Sequence, residues 1–300
     1  MSSSTITIQG RRAVWLARMF DYVELTKPKI AILVLITVAA AGFIASWGQP
    51  HPVLLLHTLF GTALVAASAS ALNQWLERRS DALMDRTLGR PLPSGRLANQ
   101  EVLFFGAWTL AAGLGYLALT AGWMTASLGA LTWALYVFAY TPLKSRTHLN
   151  TAVGAVAGAM PVLIGWAAVG GRFDLRAMTL FLTVFLWQFP HFMAIAWIYR
   201  RQYGRAGLKM LTVVDPSGRK AGVQSVLAAL ALLPVSYFPA VDSPAASLYL
   251  VGVFLLGAGQ LGCAIAFLAK RDQVTARWLL RASLVYLPSF LILLMLLPLL

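Results

Sequence analysis

Long uncharged stretches alternate with short charged ones along most of the chain. Each apolar stretch is close to the roughly 20 residues that an α-helix needs to cross the hydrocarbon core of a bilayer. The pattern therefore predicts an all-α polytopic membrane protein with about nine transmembrane helices. The predicted spans are centred on residues 29–48, 53–75, 102–120, 122–141, 151–170, 177–198, 221–241, 245–268 and 279–299.

Composition agrees with this prediction. Only 11% of the residues are charged, against about 25% in soluble domains. The single cysteine, Cys263, lies inside a predicted span, which excludes disulfides and thiolate metal clusters. The first residues are too polar for the apolar region of a signal peptide. We expect residues 1–20 to form a disordered tail.

The net charge of +14 is distributed unevenly. Every Lys and Arg except Arg172 and Arg176 falls in the N-terminal segment or in alternate connections on one side of the predicted membrane. Under the positive-inside rule this side, which includes the N-terminus, is cytoplasmic. With nine spans the C-terminus then lies on the outer side of the membrane, which we expect to be a cell (inner) membrane. Topology and attraction to anionic lipids account for the excess charge, and no nucleic-acid partner is expected.

Acidic residues contribute little to topology and are therefore more informative. Residues 73–92, NQWLERRSDALMDRTLGRPL, place Asn73, Glu77 and Asp81 four apart. On a helix this spacing puts the three side chains on one ridge. One amide and two carboxylates suit Mg²⁺, which prefers oxygen ligands and shares them with substrate phosphates. A helix end with charge partners in water is the alternative.

Basic residues follow this ridge. Arg86 and Arg90 precede a turn rich in proline and glycine, and Lys144 and Arg146 follow the fourth span. Arginine forks match phosphate oxygens, so a site for a diphosphate with magnesium is one interpretation. Separate anchors at the membrane interface are the other.

The sixth span carries two polar residues, Gln188 and His191, on one helical face. Polar groups within a membrane are functional candidates, and Pro190 between them predicts a kink. A histidine that only packs and hydrogen-bonds is the alternative. Three other histidines are weaker candidates because they lie near the outer face or in a loop: His51, His57 and His148.

Together these segments resemble the protoheme IX farnesyltransferases (heme O synthases), a family within the UbiA-type intramembrane prenyltransferase superfamily. The resemblance covers nearly the whole chain and implies one domain, residues 1–300, around a central lipid-facing cavity. The segments that carry it are DYVELTKPKI, NQWLERRSDALMDRTLGRPLPSGRL, YTPLKSRTHLNTAVGAVAGAMPVLIGW, QFPHFMAIAWIYRRQYGRAGLKML and RWLLRASLVYLP.

The resemblance assigns roles to the candidate residues. It makes Asn73, Glu77 and Asp81 the first acidic motif, catalytic residues that bind Mg²⁺ and the diphosphate of farnesyl diphosphate. Glu77 stands where aspartate is more usual. The resemblance places His191 near haem as a candidate iron ligand. It also implies four diphosphate-binding residues, namely Arg86, Arg90, Lys144 and Arg146.

One position departs from the family pattern. An aspartate normally precedes the tyrosine of a second motif, whereas here Gln202 precedes Tyr203, after Arg200 and Arg201. A glutamine cannot supply charge to a second magnesium. We therefore expect either that one metal with the arginines suffices or that activity is reduced.

The implied reaction transfers farnesyl to a vinyl group of haem b, with addition of water, and gives haem O for terminal oxidase assembly. The implied partners are these two substrates, the lipid bilayer and other haem-biosynthesis or oxidase-assembly proteins. Two alternatives stay open, a quinone-type aromatic prenyltransferase and a haem carrier of weakened catalytic activity. The aromatic residues Trp133, Tyr136, Tyr140 and Trp187 are candidates to stabilise an allylic cation, with core packing as the alternative.

Overall fold

The structure is a computed structural model that describes residues 15–240 and 246–299. These residues form helices and no strands, and nine helical segments in this part, one of them the continuous run Trp123–Leu143, are long and apolar enough to cross a membrane. The predicted all-α class is confirmed. The helices are α1 (15–25), α2 (Pro28–Ala45), α3 (Pro52–Asp81), α4 (Asn99–Thr120), α5 (Trp123–Ala134), α6 (Thr141–Leu143), α7 (Asn150–Ala168), α8 (Leu175–Ile198), α9 (Arg200–Arg205), α10 (Leu211–Val214), α11 (Arg219–Val235), α12 (Ala246–Lys270) and α13 (Gln273–Leu296).

The N-terminal prediction needs a correction. Residues 1–14 lie outside the described residues, but residues 15–20 belong to helix α1 and not to a disordered tail. Asp21 and Glu24 of this helix both accept hydrogen bonds from Arg96, and Arg18 pairs with Glu101. Ion pairs with the connection between α3 and α4 and with the first turn of α4 therefore hold this segment.

Helix ends follow from local sequence. Proline occupies the first turn of α2 and of α3, where its missing N–H has no partner to lose. Asp174 caps α8 by accepting a hydrogen bond from the backbone N–H of Ala177 at 2.9 Å. Asp272 caps α13 in the same way, accepting from Thr275 at 2.8 Å. Such caps satisfy N–H groups that a helix leaves unpaired.

Small and polar residues hold the helices together where water is absent. Gly165 of α7 lies so close to α2 that a Cβ atom there would stand 2.2 Å from the backbone oxygen of Val38. Close backbone approach of this kind is typical of helix packing in membranes. Ser68 of α3 donates to the carbonyl of Gly106 in α4 at 2.7 Å. Large apolar side chains such as Leu119 point outward and are exposed.

One end of the bundle collects the charged connections. The backbone N–H of Lys209 donates to the carbonyl of Lys144 at 2.7 Å, which joins the segment after α9 to the segment after α6. The ends of α3 and α8 reach the same place. Arg172 and Arg176 lie at the start of α8, at the opposite end. The predicted separation of charge is therefore present in the fold.

Candidate active site

The three ridge residues lie on the last turns of α3, which runs uninterrupted to Asp81. Asn73 and Asp81 are almost completely buried, with 0% and 1% exposure, and the side chain of Glu77 is 12% exposed. The four-residue spacing therefore produces the predicted helical ridge. Because the ridge is buried, the alternative of a helix end in water does not hold.

Each ridge residue contacts one basic side chain. Lys27 Nζ donates to Asn73 Oδ1 at 2.5 Å. Lys144 Nζ lies 2.7 Å from Glu77 Oε1, and Arg90 Nη1 donates to Asp81 Oδ2 at 2.6 Å. Unpaired charge is costly to bury, so these cations make a buried acidic ridge tolerable.

Lys27 is the site residue that sequence reasoning missed, because its charge was assigned to topology. It lies between α1 and α2, in the sequence Thr-Lys-Pro, and has a left-handed backbone conformation with φ of 52°. Burial lowers the pKa of Lys27 to about 7, and the nearby Arg90 cation acts in the same direction. A lysine directly before the proline that opens a span was the available signal.

A π-helical stretch, Leu135–Tyr140, shapes the second side of the site. The wider turn lets the Thr141 hydroxyl donate to the carbonyl of Tyr136 at 2.8 Å while it accepts from Asn73 Nδ2 at 3.0 Å. It also leads to Lys144, whose Nζ lies 4.4 Å from the centre of the Tyr140 ring. Such π segments often occur at functional sites.

Glu77 and Lys144 form a strong pair. Burial is the largest single effect and lowers the pKa of Lys144, but Glu77 together with Tyr140 and Tyr136 outweighs it and holds that pKa well above the ordinary value. Lys144 is therefore a cation at neutral pH.

Arg90 and Arg86 come from the connection between α3 and α4. Arg96 fixes this connection, since it donates to the carbonyl of Gly89 at 2.7 Å and pairs with Asp21 of α1. The Arg86 guanidinium lies 4.7 Å from the ring centre of Tyr199. The predicted basic turn is thus a fixed structure, tied to α1 on one side and to α9 on the other.

The second-motif position lies beside this connection. Gln202 Nε2 is 3.5 Å from Asp85 Oδ2, and Arg86 donates to the Tyr203 hydroxyl at 3.3 Å. Asp85 and Gln202 border a polar cleft of about 380 Å³, together with Arg200 and other residues. The two segments meet in space, and Asp85 is the acid that contacts Gln202, the position at which the family resemblance leads us to expect an aspartate.

Arg146 is not brought to the ridge. It is exposed, and its side chain makes no hydrogen bond or ion pair with the ridge anywhere in the described ranges. Its proposed contact with diphosphate stays a prediction.

His191 lies deeper in α8 and is partly buried. Its ring stacks on Trp187 with centroids 5.1 Å apart, and its Nδ1 lies 2.9 Å from the Ser283 hydroxyl of α13. Gln188 faces α7 instead, where it donates to the carbonyl of Ala155 at 2.8 Å. The two polar residues of this span therefore serve different interfaces.

An apolar cleft of about 680 Å³ lies between α8 and α11. Phe185 and Phe189 border it, and Arg219 and Lys220 stand at its end. Phe189 precedes His191 by two residues, which places the cleft on the other face of α8. The cleft is therefore separate from the surroundings of His191.

The ridge alone does not enclose a metal ion. Within residues 15–240 and 246–299, no group of three or more His, Cys, Asp or Glu side chains could hold one. An amide and two carboxylates do fit magnesium that takes its remaining ligands from water and substrate phosphate. The donor set therefore suits a metal that arrives with a diphosphate.

Comparison with known proteins identifies the family. The model of the UbiA prenyltransferase family matches residues 34–294. The chain is 45% identical to the protoheme IX farnesyltransferase of Solibacter usitatus over 90% of this chain and 96% of that protein. It is 42% identical to the protoheme IX farnesyltransferase of Rhodopirellula baltica over 90% of this chain and 97% of that one.

The chain belongs to the UbiA prenyltransferase family.

Solved structures of UbiA-type proteins share the fold. A digeranylgeranylglyceryl phosphate synthase superimposes with a TM-score of 0.76 at 18% identity and covers 94% of this chain and 99% of its own. A UbiA homolog from Archaeoglobus fulgidus bound to DMAPP and Mg²⁺ gives a TM-score of 0.65 at 14% identity, over 91% of this chain and 99% of its own. The protein is thus an integral membrane prenyltransferase of the UbiA fold.

Proposed function

We propose that the protein transfers the farnesyl group of farnesyl diphosphate to a vinyl group of haem b, with addition of water, and so forms haem O. The observation that carries this proposal is the ridge of Asn73, Glu77 and Asp81, buried at one end of a membrane bundle and paired with three cations. The relatives named protoheme IX farnesyltransferase support haem b as the acceptor. We propose that residues 1–300 act as one domain around a central cavity.

In this proposal the site residues exchange partners when substrate binds. The ridge oxygens that now contact Lys27, Lys144 and Arg90 are the oxygens that Mg²⁺ would use. The freed cations turn to the diphosphate, with Arg86 and Arg146 beside them. Bound magnesium supplies Lewis-acid stabilisation of the leaving diphosphate. Two of the three contacts, Glu77–Lys144 and Asp81–Arg90, are ion pairs, and their charges would stay paired after the exchange, so the exchange of these two pairs needs little net desolvation.

The bond changes balance without a covalent enzyme intermediate. The C–O bond of farnesyl diphosphate breaks and its electron pair leaves with the diphosphate. The vinyl π electrons form the new C–C bond to the allylic carbon, and the resulting haem-side cation takes up water, which then loses a proton. The apolar bundle limits access of bulk water to the allylic cation.

Tyr140 and Tyr136 are placed to assist ionisation. Their rings lie 5.3 Å apart on the π segment that contacts the ridge. At present Lys144 lies over the Tyr140 ring. When Lys144 moves to the diphosphate, this π face becomes available to the allylic cation.

The site end is proposed to face the cytoplasm of a cell (inner) membrane, because nearly all basic residues lie there. The C-terminus then lies outside. The product is a hydrophobic haem that stays in the bilayer. We propose that terminal oxidase assembly consumes it, through haem-biosynthesis or oxidase-assembly proteins as partners.

The test is direct synthesis by the purified, detergent-solubilised protein. Haem b and farnesyl diphosphate are incubated with and without magnesium, and haem O is measured by mass spectrometry. We expect magnesium-dependent haem O, and at least a hundredfold loss in Asp81→Asn, since a charged contact to the metal is removed. Asp215→Asn is the matched control, because it makes the same change at a cap outside the ridge.

Two results would reject the proposal. Bound haem without product would favour the haem carrier. Prenylation of an aromatic acceptor in place of haem b would favour a quinone-type enzyme.

A further inference from the structure

One fully buried residue of α13, Ser283, contacts two side chains of α8. Its backbone carbonyl accepts a hydrogen bond from Trp187 Nε1 at 2.7 Å. Its hydroxyl lies 2.9 Å from His191 Nδ1 and donates to the carbonyl of Leu280, one turn earlier, at 2.7 Å. These three contacts fix both the indole and the imidazole of α8 against α13.

The donors and acceptors in these contacts indicate which ring nitrogen of His191 carries the proton. A serine hydroxyl carries one hydrogen, and the Leu280 carbonyl, which can only accept, takes it. With this hydrogen donated to Leu280, the Ser283 oxygen accepts from His191, which favours the tautomer with the proton on Nδ1. In a neutral imidazole the lone pair then resides on Nε2. Nε2 has no hydrogen-bond partner among the described residues, and the ring is only partly buried.

We propose that Ser283 is a positioning residue that holds His191 as the Nδ1–H tautomer and directs the Nε2 lone pair to the iron of haem b. This inference rests on the proposed haem-binding role of His191. Histidines that bind a metal through one nitrogen generally donate the other N–H to a fixed acceptor, which sets the tautomer and the ring orientation. Stacking on Trp187 restricts the ring further.

The role proposed for Ser283 also explains why a polar contact lies between α8 and α13 in the interior of the bundle. A buried hydroxyl that only packs needs just its bond to the preceding turn, as Ser225 of α11 shows by donating to the Ala221 carbonyl at 2.8 Å. Ser283 makes a similar bond, to the carbonyl three residues earlier, and in addition contacts an imidazole. Ser225 is equally buried, so it provides a matched control without a histidine.

The experiment titrates ferric haem b into the full-length protein in detergent and records the Soret band and the electron paramagnetic resonance spectrum. Four variants are compared with the unchanged chain, namely His191→Ala, Ser283→Ala, Ser283→Thr and Ser225→Ala. We expect His191→Ala to lose the histidine-ligated spectrum. Ser283→Ala should bind haem about 10–100-fold more weakly, with an altered spectrum. Ser283→Thr, which keeps a hydroxyl, and Ser225→Ala should match the unchanged chain.

The spectrum separates positioning from stability. A merely structural loss would lower the folded fraction but leave the spectrum of the bound fraction unchanged. If Ser283→Ala matches the unchanged chain in affinity and spectrum while His191→Ala does not, the role of Ser283 is overturned and haem ligation by His191 stands. If His191→Ala also matches, both are overturned, while magnesium-dependent turnover tests the transferase separately.

Discussion

Lys144→Met should destabilise the ligand-free protein strongly, because it leaves the Glu77 carboxylate without its cation. The two groups are 2.7 Å apart, and their side chains are only 15% and 12% exposed. Removal of one partner from a buried ion pair costs about 3–5 kcal/mol. Some exposure remains, so we expect about 3 kcal/mol, which changes the unfolding equilibrium roughly a hundredfold.

A double variant shows whether the loss comes from the unpaired charge. Glu77→Gln combined with Lys144→Met removes both charges. Replacement of both partners is often nearly neutral. The double variant should therefore recover most of the stability that Lys144→Met loses. The control for the lysine substitution is Lys29→Met, since Lys29 is exposed and no salt bridge to it is found in the described ranges.

The assay is thermal unfolding in detergent with increasing Mg²⁺. A loss of 3 kcal/mol should lower Tm by on the order of 6–10 °C. Magnesium should raise the Tm of Lys144→Met more than that of the unchanged chain, because Glu77 no longer has to leave a lysine to bind it. An unchanged Tm in Lys144→Met, or equal magnesium stabilisation of both proteins, would refute the partner exchange.

Three further substitutions test other parts of the site and fold. Lys27→Met should raise the KM for farnesyl diphosphate by about 10–100-fold through loss of a charged contact. The control, Lys29→Met, should leave this KM unchanged. An equal KM in the two variants would show that Lys27 does not belong to the site. Gln202→Asp should lower the Mg²⁺ concentration for half-maximal turnover several-fold, because a carboxylate adds charge next to the metal; an unchanged titration would show that no metal contacts this position. Gly165→Ala should lower the free energy of unfolding by about 1–3 kcal/mol, since its Cβ would meet a backbone carbonyl of α2. Gly115→Ala, with open space around it, should be neutral or stabilising in the same melting assay.

The helices were the most predictable part of the protein. Spans of about 20 apolar residues need no tertiary information, since each satisfies its own backbone hydrogen bonds in lipid. The ridge was predictable for a related reason, because four-residue spacing acts within one helix. Its extent was also correct, with Asn73, Glu77 and Asp81 all on α3.

The partners of the ridge were not predictable to the same degree. Each cation comes from a different element, so pairing depends on how α2, α3 and the π segment pack. Arg90 and Lys144 were named from the composition of their loops, whereas the partner that each would have was not foreseen. The tautomer of His191 depends on Ser283, which lies 92 residues later in the chain, and no local pattern reports such a contact.

Lys27 shows why a charge at a membrane interface can conceal a functional residue. The positive-inside rule accounts for any lysine that precedes a span, so charge alone gave no reason to single this one out. The backbone conformation of Lys27 does give a reason. Pro28 disfavours the right-handed helical region for the residue before it, and Lys27 adopts a left-handed φ of 52°. This conformation costs about 1 kcal/mol or more for a residue with a Cβ. A turn that served only to start α2 would be more stable with glycine. The lysine at this position instead places its Nζ 2.5 Å from Asn73 Oδ1. An ordinary interfacial anchor would direct its charge to the membrane surface, whereas this side chain points into the candidate site. The strained turn and the buried contact therefore have one explanation, namely that the start of α2 places the Lys27 side chain at the proposed diphosphate site.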